Sequence, residues 1–99
     1  MASEKAFENK IKQYLKSQNI WHVKFFANRM TKVGVPDILA CVNGRFVAIE
    51  VKAEKGKPSE IQLWNIEKIK DSGGIAMVLY PDQFDIFKDL IQDILEGGE

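Results

Sequence analysis

The sequence predicts an α/β fold in which a mixed β-sheet is flanked by helices, with the element order α-β-β-β-α-β-α. An Asn-Gly pair at residues 43–44 joins two apolar runs, which is a strong signal for a β-hairpin. A helical pattern then separates this hairpin from another apolar run at residues 75–80. A helix between two strands implies a crossover connection, and therefore a sheet that is partly parallel.

Each element follows from local periodicity or from a turn signal. In the first helix Phe7, Ile11 and Leu15 recur at helical spacing, and the second helix begins with Ser59 as its N-cap. The predicted helices are residues 4–18, 59 to about 71, and a last helix from residue 81. The predicted strands are residues 20–27, 37–42, 45–53 and 75–80. The last strand is apolar throughout, which favours a central position in the sheet.

Composition is typical of a single globular domain. The 99 residues are 45% hydrophobic and 28% charged, and one domain is expected to span residues 1–99. No segment reaches the roughly 18 apolar residues of a membrane span. The single cysteine, Cys41, lies in an apolar run and is expected to be a small core residue in a reducing compartment. These features favour a cytoplasmic protein with no membrane partner.

The formal net charge is zero, but the charges are unevenly distributed. The first 81 residues hold 13 basic and 8 acidic residues, and residues 24–36 hold basic residues but no acid. Because electrostatic fields depend on where charge lies, nucleic acid remains open as a partner. Solvated loops would explain the same charges.

Three charged residues interrupt the hydrophobic hairpin: Asp37 at the start of its first strand, and Glu50 and Lys52 near the end of its second. Side chains two apart on a strand share a face, so Glu50 and Lys52 point the same way. The antiparallel hairpin then places Asp37 beside them. Two carboxylates at a sheet end suit the oxygen coordination that Mg²⁺ prefers. The alternative is a buried ion pair, which often does not offset its desolvation cost.

The motifs around these residues resemble a known group of nucleases. Pro36-Asp37 followed by Glu50-Val51-Lys52 resembles the PD-(D/E)xK signature. The segments "GVPDILA", "NGRFVAIEVKAEKGKPSEIQ" and "SGGIAMV" are similar to the virus-type replication–repair nuclease (VRR-NUC) domain and to archaeal Holliday-junction resolvases. The resemblance implies a restriction-endonuclease-like fold and a Mg²⁺- or Mn²⁺-dependent DNA endonuclease. It also implies action on four-way (Holliday) junctions as a homodimer, and a phage or bacterial origin.

The resemblance assigns roles to individual residues. Asp37 and Glu50 are the expected metal-binding carboxylates, and the backbone carbonyl of Val51 is a further expected ligand. Lys52 is the expected catalytic lysine, which orients or activates the attacking water. Glu8 is similar to the first-helix acid of these nucleases, which supports a metal through water.

Two assignments have alternatives. Glu4, one turn before Glu8, is another candidate for the first-helix acid, but Glu8 borders the inward stripe of the helix; either one is otherwise a solvated helix charge. Gln62 matches the glutamine of the helix that follows the ExK motif. Its spacing from Ser59 also fits a capping box, which would occupy it without any role at the site.

Partners follow from charge and from apolar surface. The candidates to hold DNA phosphates are Lys24, Arg29, Lys32, Lys55 and Lys57. A homodimer is expected because the core of so small a chain is thin, and because the last helix and "IWHVKFF" carry more apolar surface than one small sheet needs. Rival functions are a flap or general DNA nuclease, a catalytically inactive nucleic-acid-binding module, and a structural interaction protein without DNA affinity.

Overall fold

The computed structural model describes residues 3–28, residue 30 and residues 32–98. Its helices are α1 (Glu4–Ser17), α2 (Glu60–Asp71) and α3 (Phe84–Leu95), and its strands are β1 (Trp21–Lys24), β2 (Ile38–Val42), β3 (Arg45–Val51) and β4 (Ile75–Leu79). A 3-10 turn, Pro81–Gln83, precedes α3. The predicted element order is confirmed. Within the described ranges, none of the helices combines the length and the hydropathy needed to cross a membrane.

The strands form one mixed sheet in the order β1-β2-β3-β4. The pairs β1–β2 and β2–β3 are antiparallel, and β3–β4 is parallel. The central position predicted for β4 is wrong, because among the described residues β4 is the edge strand beside β3. Its apolar character reflects helices on both faces: Leu79 packs in the core with α1 and α3, while Ala76 packs against Ile66 of α2.

Helices α1 and α3 cover one face of the sheet and α2 covers part of the other. The larger core joins Phe7 and Ile11 of α1 to Phe87 and Ile91 of α3 over the sheet. Helix α3 therefore packs most of its apolar side chains against its own sheet. Phe87, Ile91 and Ile94 are buried, so the surplus apolar surface predicted for this helix is largely reduced to Ile86, which is 71% exposed.

An open apolar face remains on the α2 side of the sheet and is formed by Trp21, Val23, Cys41 and Phe46. Trp21 pairs with Cys41 and Cys41 pairs with Phe46 across neighbouring strands, so these side chains share one face. Trp21 is 65% exposed and Phe46 is 46% exposed, and Cys41 is exposed as well. The prediction of Cys41 as a core residue is wrong, because α2 lies over β3 and β4 and leaves this part of β2 uncovered.

Candidate metal-dependent nuclease site

The β2–β3 turn sets the position of the site. Asn43 and Gly44 both have positive φ angles, 49° and 80°, which these two residue types adopt more readily than others. The Asn43 side chain also donates a hydrogen bond to the Ile94 carbonyl of α3 at 3.0 Å. The turn fixes a register in which Ile38 pairs with Ile49. The residue before β2 therefore lies beside the end of β3.

Asp37 occupies that corner. Its Oδ2 accepts a hydrogen bond from the backbone N–H of Val51 at 2.8 Å, and its Oδ1 lies 3.3 Å from Lys24 Nζ. Its backbone carbonyl accepts a hydrogen bond from Phe25 N–H at 2.8 Å, just past the end of β1. The structure thus brings Asp37 to the end of β3, as the hairpin geometry predicts.

Glu50 and Lys52 form the second part of the site. Glu50 is only 2% exposed, and its Oε2 lies 3.3 Å from Lys52 Nζ, so the two side chains share a face. In the described part of the chain, Glu50 Oε1 is buried without a hydrogen-bond partner. Burial raises the pKa of the Glu50 carboxyl to about 7, and the neighbouring charge of Asp37 adds to this, while Lys52 acts in the opposite direction.

Glu8 and Lys24 join α1 to the same corner. Glu8 is 4% exposed, whereas Glu4 is exposed. Lys24 Nζ lies 2.8 Å from Glu8 Oε1 and 3.3 Å from Asp37 Oδ1, so one ammonium links the two carboxylates. Burial raises the pKa of Glu8, but the hydrogen bonds and charges of Lys24 and Lys12 outweigh it and hold that pKa below its ordinary value.

Asn65, on α2, holds the loop that leads into the site, and sequence reasoning missed it. Its side-chain amide donates hydrogen bonds to the carbonyls of Val33, at 3.1 Å, and Ile61, at 2.9 Å. Gly34 has a φ of +80°, and a Cβ there would lie 2.9 Å from the Asn65 amide nitrogen. This packing fixes the backbone just before Pro36 and Asp37. A polar residue on an otherwise mixed helix face gave no signal in the sequence.

The other predicted residues lie outside the cluster just described. The Gln62 side chain accepts from Ser59 N–H at 2.8 Å, and Gln62 N–H donates to Ser59 Oγ at 3.2 Å, so the capping box is present. Lys55 and Lys57 are exposed in the loop after β3. Lys32 Nζ lies 5.5 Å from the Trp64 ring centre, and Arg29 lies outside the described residues.

The donor set fits a hard divalent cation. Asp37 and Glu50 supply carboxylate oxygens, and the orphaned Glu50 Oε1 is a buried acceptor that a cation would satisfy. Among residues 3–28, 30 and 32–98, no group of three or more His, Cys, Asp or Glu side chains converges closely enough to hold a metal. Two carboxylates completed by water and backbone oxygen match the coordination habit of Mg²⁺ rather than that of Zn²⁺.

The fold and this corner define a PD-(D/E)xK-type nuclease domain, with Asp37 before β2, Glu50 on β3 and Lys52 just after it. The family model for Hjc, the archaeal Holliday junction resolvase, matches residues 2–76 of the chain. The chain therefore belongs to this family and is a resolvase-like nuclease, and its mixed sheet with flanking helices agrees with a restriction-endonuclease-like fold. The search of curated proteins finds no match.

Proposed function

We propose that this protein is a divalent-metal-dependent DNA endonuclease of the VRR-NUC type that cleaves four-way junctions as a homodimer. The observation that carries the proposal is the convergence of Asp37, Glu50 and Lys52 at one corner, with a buried carboxylate oxygen left without a hydrogen bond. Charged groups buried in apolar strands at a stability cost are typical of functional sites. A cytoplasmic protein of phage or bacterial origin is part of the same proposal.

In this proposal Asp37, Glu50 and the backbone carbonyl of Val51 hold Mg²⁺ or Mn²⁺. The ion would supply Lewis acidity and charge neutralisation for hydrolysis of the phosphodiester. Lys52 is already oriented by Glu50, at 3.3 Å, and presents N–H donors that hold the attacking water or a phosphate oxygen. The Lys24 ammonium lies between the carboxylates of Glu8 and Asp37 and contacts both. Glu8 would therefore support the ion through a bound water rather than as a direct ligand.

DNA contacts are proposed on both sides of the corner. Lys55 and Lys57 are exposed just beyond β3, and Lys32 is exposed in the loop before Asp37; Arg29, outside the described residues, is a candidate from the sequence alone. Such cations position the backbone without reading base sequence. Lys24 is a further candidate, and its ammonium also pairs with Glu8 and Asp37.

The proposed homodimer uses the open apolar face. Exposed Trp21 and Phe46 lie in register on it, and a hollow of about 450 Å³ beside Phe46 is lined by Trp64 of α2. A second copy of the chain would cover this face and set two sites at a fixed separation, which would allow paired cuts in a branched substrate. Of the two apolar elements predicted to form the interface, α3 packs on its own core, so the proposed interface is the sheet face that includes Trp21 of β1.

The test of activity is cleavage of labelled duplex, flap and four-way-junction DNA by the purified protein with Mg²⁺ or Mn²⁺. Preferential cleavage of the junction supports the proposal, and preferential cleavage of flaps would favour the rival nuclease specificity. Asp37→Asn is the matched inactive control, because its side-chain oxygen can still accept the hydrogen bond from Val51 N–H. DNA binding without any cleavage would indicate an inactive binding module.

The test of assembly is light scattering without DNA at moderate salt. The wild-type mass should be twice the chain mass of 11.3 kDa, and Trp21→Glu should give the single-chain mass. Ile86→Glu is the control, since Ile86 on α3 is a large hydrophobic residue of similar exposure, 71% against 65% for Trp21. A wild-type mass near 11.3 kDa would reject the dimer.

A further inference from the structure

Glu8 is the centre of a cluster of lysines that the nuclease signature does not account for. Lys24 Nζ lies 2.8 Å from Glu8 Oε1, and Lys12 Nζ and Lys5 Nζ lie 3.3 and 3.6 Å from Glu8 Oε2. Lys5, Glu8 and Lys12 are three and four residues apart on α1, so their side chains share one side of the helix. Lys24 comes from the end of β1 and reaches the same carboxylate.

The cluster carries more positive charge than its own carboxylate balances. Three ammonium groups surround one Glu8 carboxylate, which leaves a local net charge of +2 before Asp37 is counted. Each ammonium has three N–H donors, and Glu8 and Asp37 use only part of them. The Lys5 and Lys12 side chains are 69% and 29% exposed, so their remaining donors can meet a ligand from solvent.

The position of the cluster indicates which anion it serves. Lys24 also lies 3.3 Å from Asp37 Oδ1, so the cluster adjoins the corner proposed to hold the metal. Resting on the proposed nuclease function, we infer that Lys5, Lys12 and Lys24 form a binding site for a backbone phosphate that flanks the scissile phosphate. Glu8 acts there as the positioning residue, because its carboxylate pairs with all three ammonium groups and holds them close together.

A purely structural ion-pair network is the alternative, and it makes a different prediction. Lys5 and Lys12 pair with Glu8 at three- and four-residue spacing, an arrangement that also supports an isolated helix. If helix support were their whole role, replacing both lysines would change thermal stability and leave DNA affinity unchanged. A phosphate site instead requires DNA affinity and its salt dependence to change.

The experiment measures binding of a labelled four-way junction and a labelled duplex by fluorescence anisotropy in EDTA, over a series of salt concentrations. Lys5→Ala/Lys12→Ala should weaken binding of both DNAs, and the slope of log K against log salt should fall by about 1 for each lysine. Lys5→Arg/Lys12→Arg should restore the slope, because guanidinium groups bind phosphate as well. Lys5→Glu, at the most exposed of the three lysines, repeats the test if the double variant folds poorly.

The matched control is Lys10→Ala/Lys88→Ala, which removes the same charge from two lysines that lie 5.1 and 5.0 Å from the Phe84 ring centre. An equal loss of affinity in this control would show a bulk charge effect and overturn the inference. An unchanged salt slope in Lys5→Ala/Lys12→Ala would also overturn it. Because binding is measured without metal, wild-type cleavage by that variant in Mg²⁺ together with an unchanged slope would reject the phosphate site while leaving the nuclease proposal intact.

Discussion

Two buried carboxylates on opposite sides of the site have opposite electrostatic surroundings. Glu8 and Glu50 are 4% and 2% exposed, but the pKa of Glu8 is lowered while that of Glu50 is raised to about 7. Both lose hydration on burial. Glu8 is compensated by several lysines, whereas Glu50 has one lysine and faces the second negative charge of Asp37.

The two carboxylates differ in how far neighbouring lysines compensate their charge. Ionised Glu8 is balanced by the ammonium groups of α1 and β1. Ionised Glu50 pairs with Lys52 alone among the described residues and also faces the charge of Asp37, while one oxygen of each carboxylate, Glu50 Oε1 and Glu8 Oε2, is buried without a hydrogen bond. A divalent cation between Asp37 and Glu50 would supply what the protein itself does not. The Glu50 side is thus suited to metal binding, and the Glu8 side to holding a phosphate.

The largest effect is expected from variants on the Glu50 side. Lys52→Ala and Asp37→Asn should each reduce cleavage by at least about 100-fold, because the first removes the cation proposed to hold the attacking water or a phosphate oxygen and the second weakens a proposed metal ligand. Both variants should keep the fold, since the amide oxygen introduced by Asp37→Asn would still accept from Val51 N–H and Lys52 lies just past the end of β3. Single-turnover cleavage rates and circular dichroism provide the check. Wild-type rates in either variant would remove these residues from the site.

Metal dependence is the next largest expected effect. Cleavage should be lost in EDTA and restored by Mg²⁺ or Mn²⁺ but not by Zn²⁺, and Ca²⁺ should bind while supporting little turnover. Because Glu50 must release a proton to bind a cation, Mg²⁺ affinity should fall up to about tenfold for each pH unit below 7. The shift in thermal midpoint with Mg²⁺ at several pH values measures this, with Glu50→Gln as the control. Full activity in EDTA would refute the metal mechanism.

The two carboxylates should also affect stability in opposite directions. The folded state holds the Glu50 proton up to about pH 7, while the unfolded value is near 4.5, so stability decreases as pH rises through this window. In EDTA above pH 7, Glu50→Gln should therefore raise the free energy of unfolding by up to about 3 kcal/mol. The lowered pKa of Glu8 adds to the free energy of unfolding above the unfolded pKa, and this contribution is lost as pH falls through the folded pKa, so Glu8→Gln should lower the free energy of unfolding at neutral pH.

Chemical denaturation from pH 5 to 8 tests this pair of variants directly. The Glu50→Gln protein should lose the decrease in stability that the wild type shows through the window, while Glu8→Gln should retain it. Equal effects of both substitutions at neutral pH would mean that the two sides of the site do not differ as described.

The fold was predictable because its signals are local. The Asn43-Gly44 turn, the Ser59 cap and the apolar spacing of α1 each act over a few residues, and each specifies the element that the structure contains. The position of β4 was not predictable in this way. A strand that is apolar on both faces is covered on both faces, but it need not be central in the sheet. In this protein helices cover both faces of an edge strand.

From the residues themselves, one hairpin made part of the site predictable, while Glu8 was selected by the family resemblance and by its position beside the inward stripe of α1. Strand alternation and the turn place Asp37 with Glu50 and Lys52. The contact between Lys24 of β1 and Glu8 of α1 was not predictable in this way. No local sequence pattern specifies how a helix and a strand pack against each other. The spacing of Lys5 and Lys12 from Glu8 was visible in the sequence. The same spacing occurs on most solvated helices, so it carried no signal until Glu8 proved to be buried.

The smallest expected effect concerns Gln62. Gln62 contributes to the site only if the role implied by the family resemblance holds. The capping box with Ser59 predicts that Gln62→Ala lowers the free energy of unfolding by about 1 kcal/mol through loss of the cap. Ser59→Ala is the matched control, because it removes the other half of the same box.

If Gln62 serves only as a cap, both variants should show the same small loss of stability and the same cleavage rate at a temperature where each is folded. If Gln62 also contacts DNA or its bound water, its cleavage rate should fall below that of Ser59→Ala at equal stability. Thermal melts and single-turnover rates of the two variants separate these roles, and equal rates would assign Gln62 to the helix cap alone.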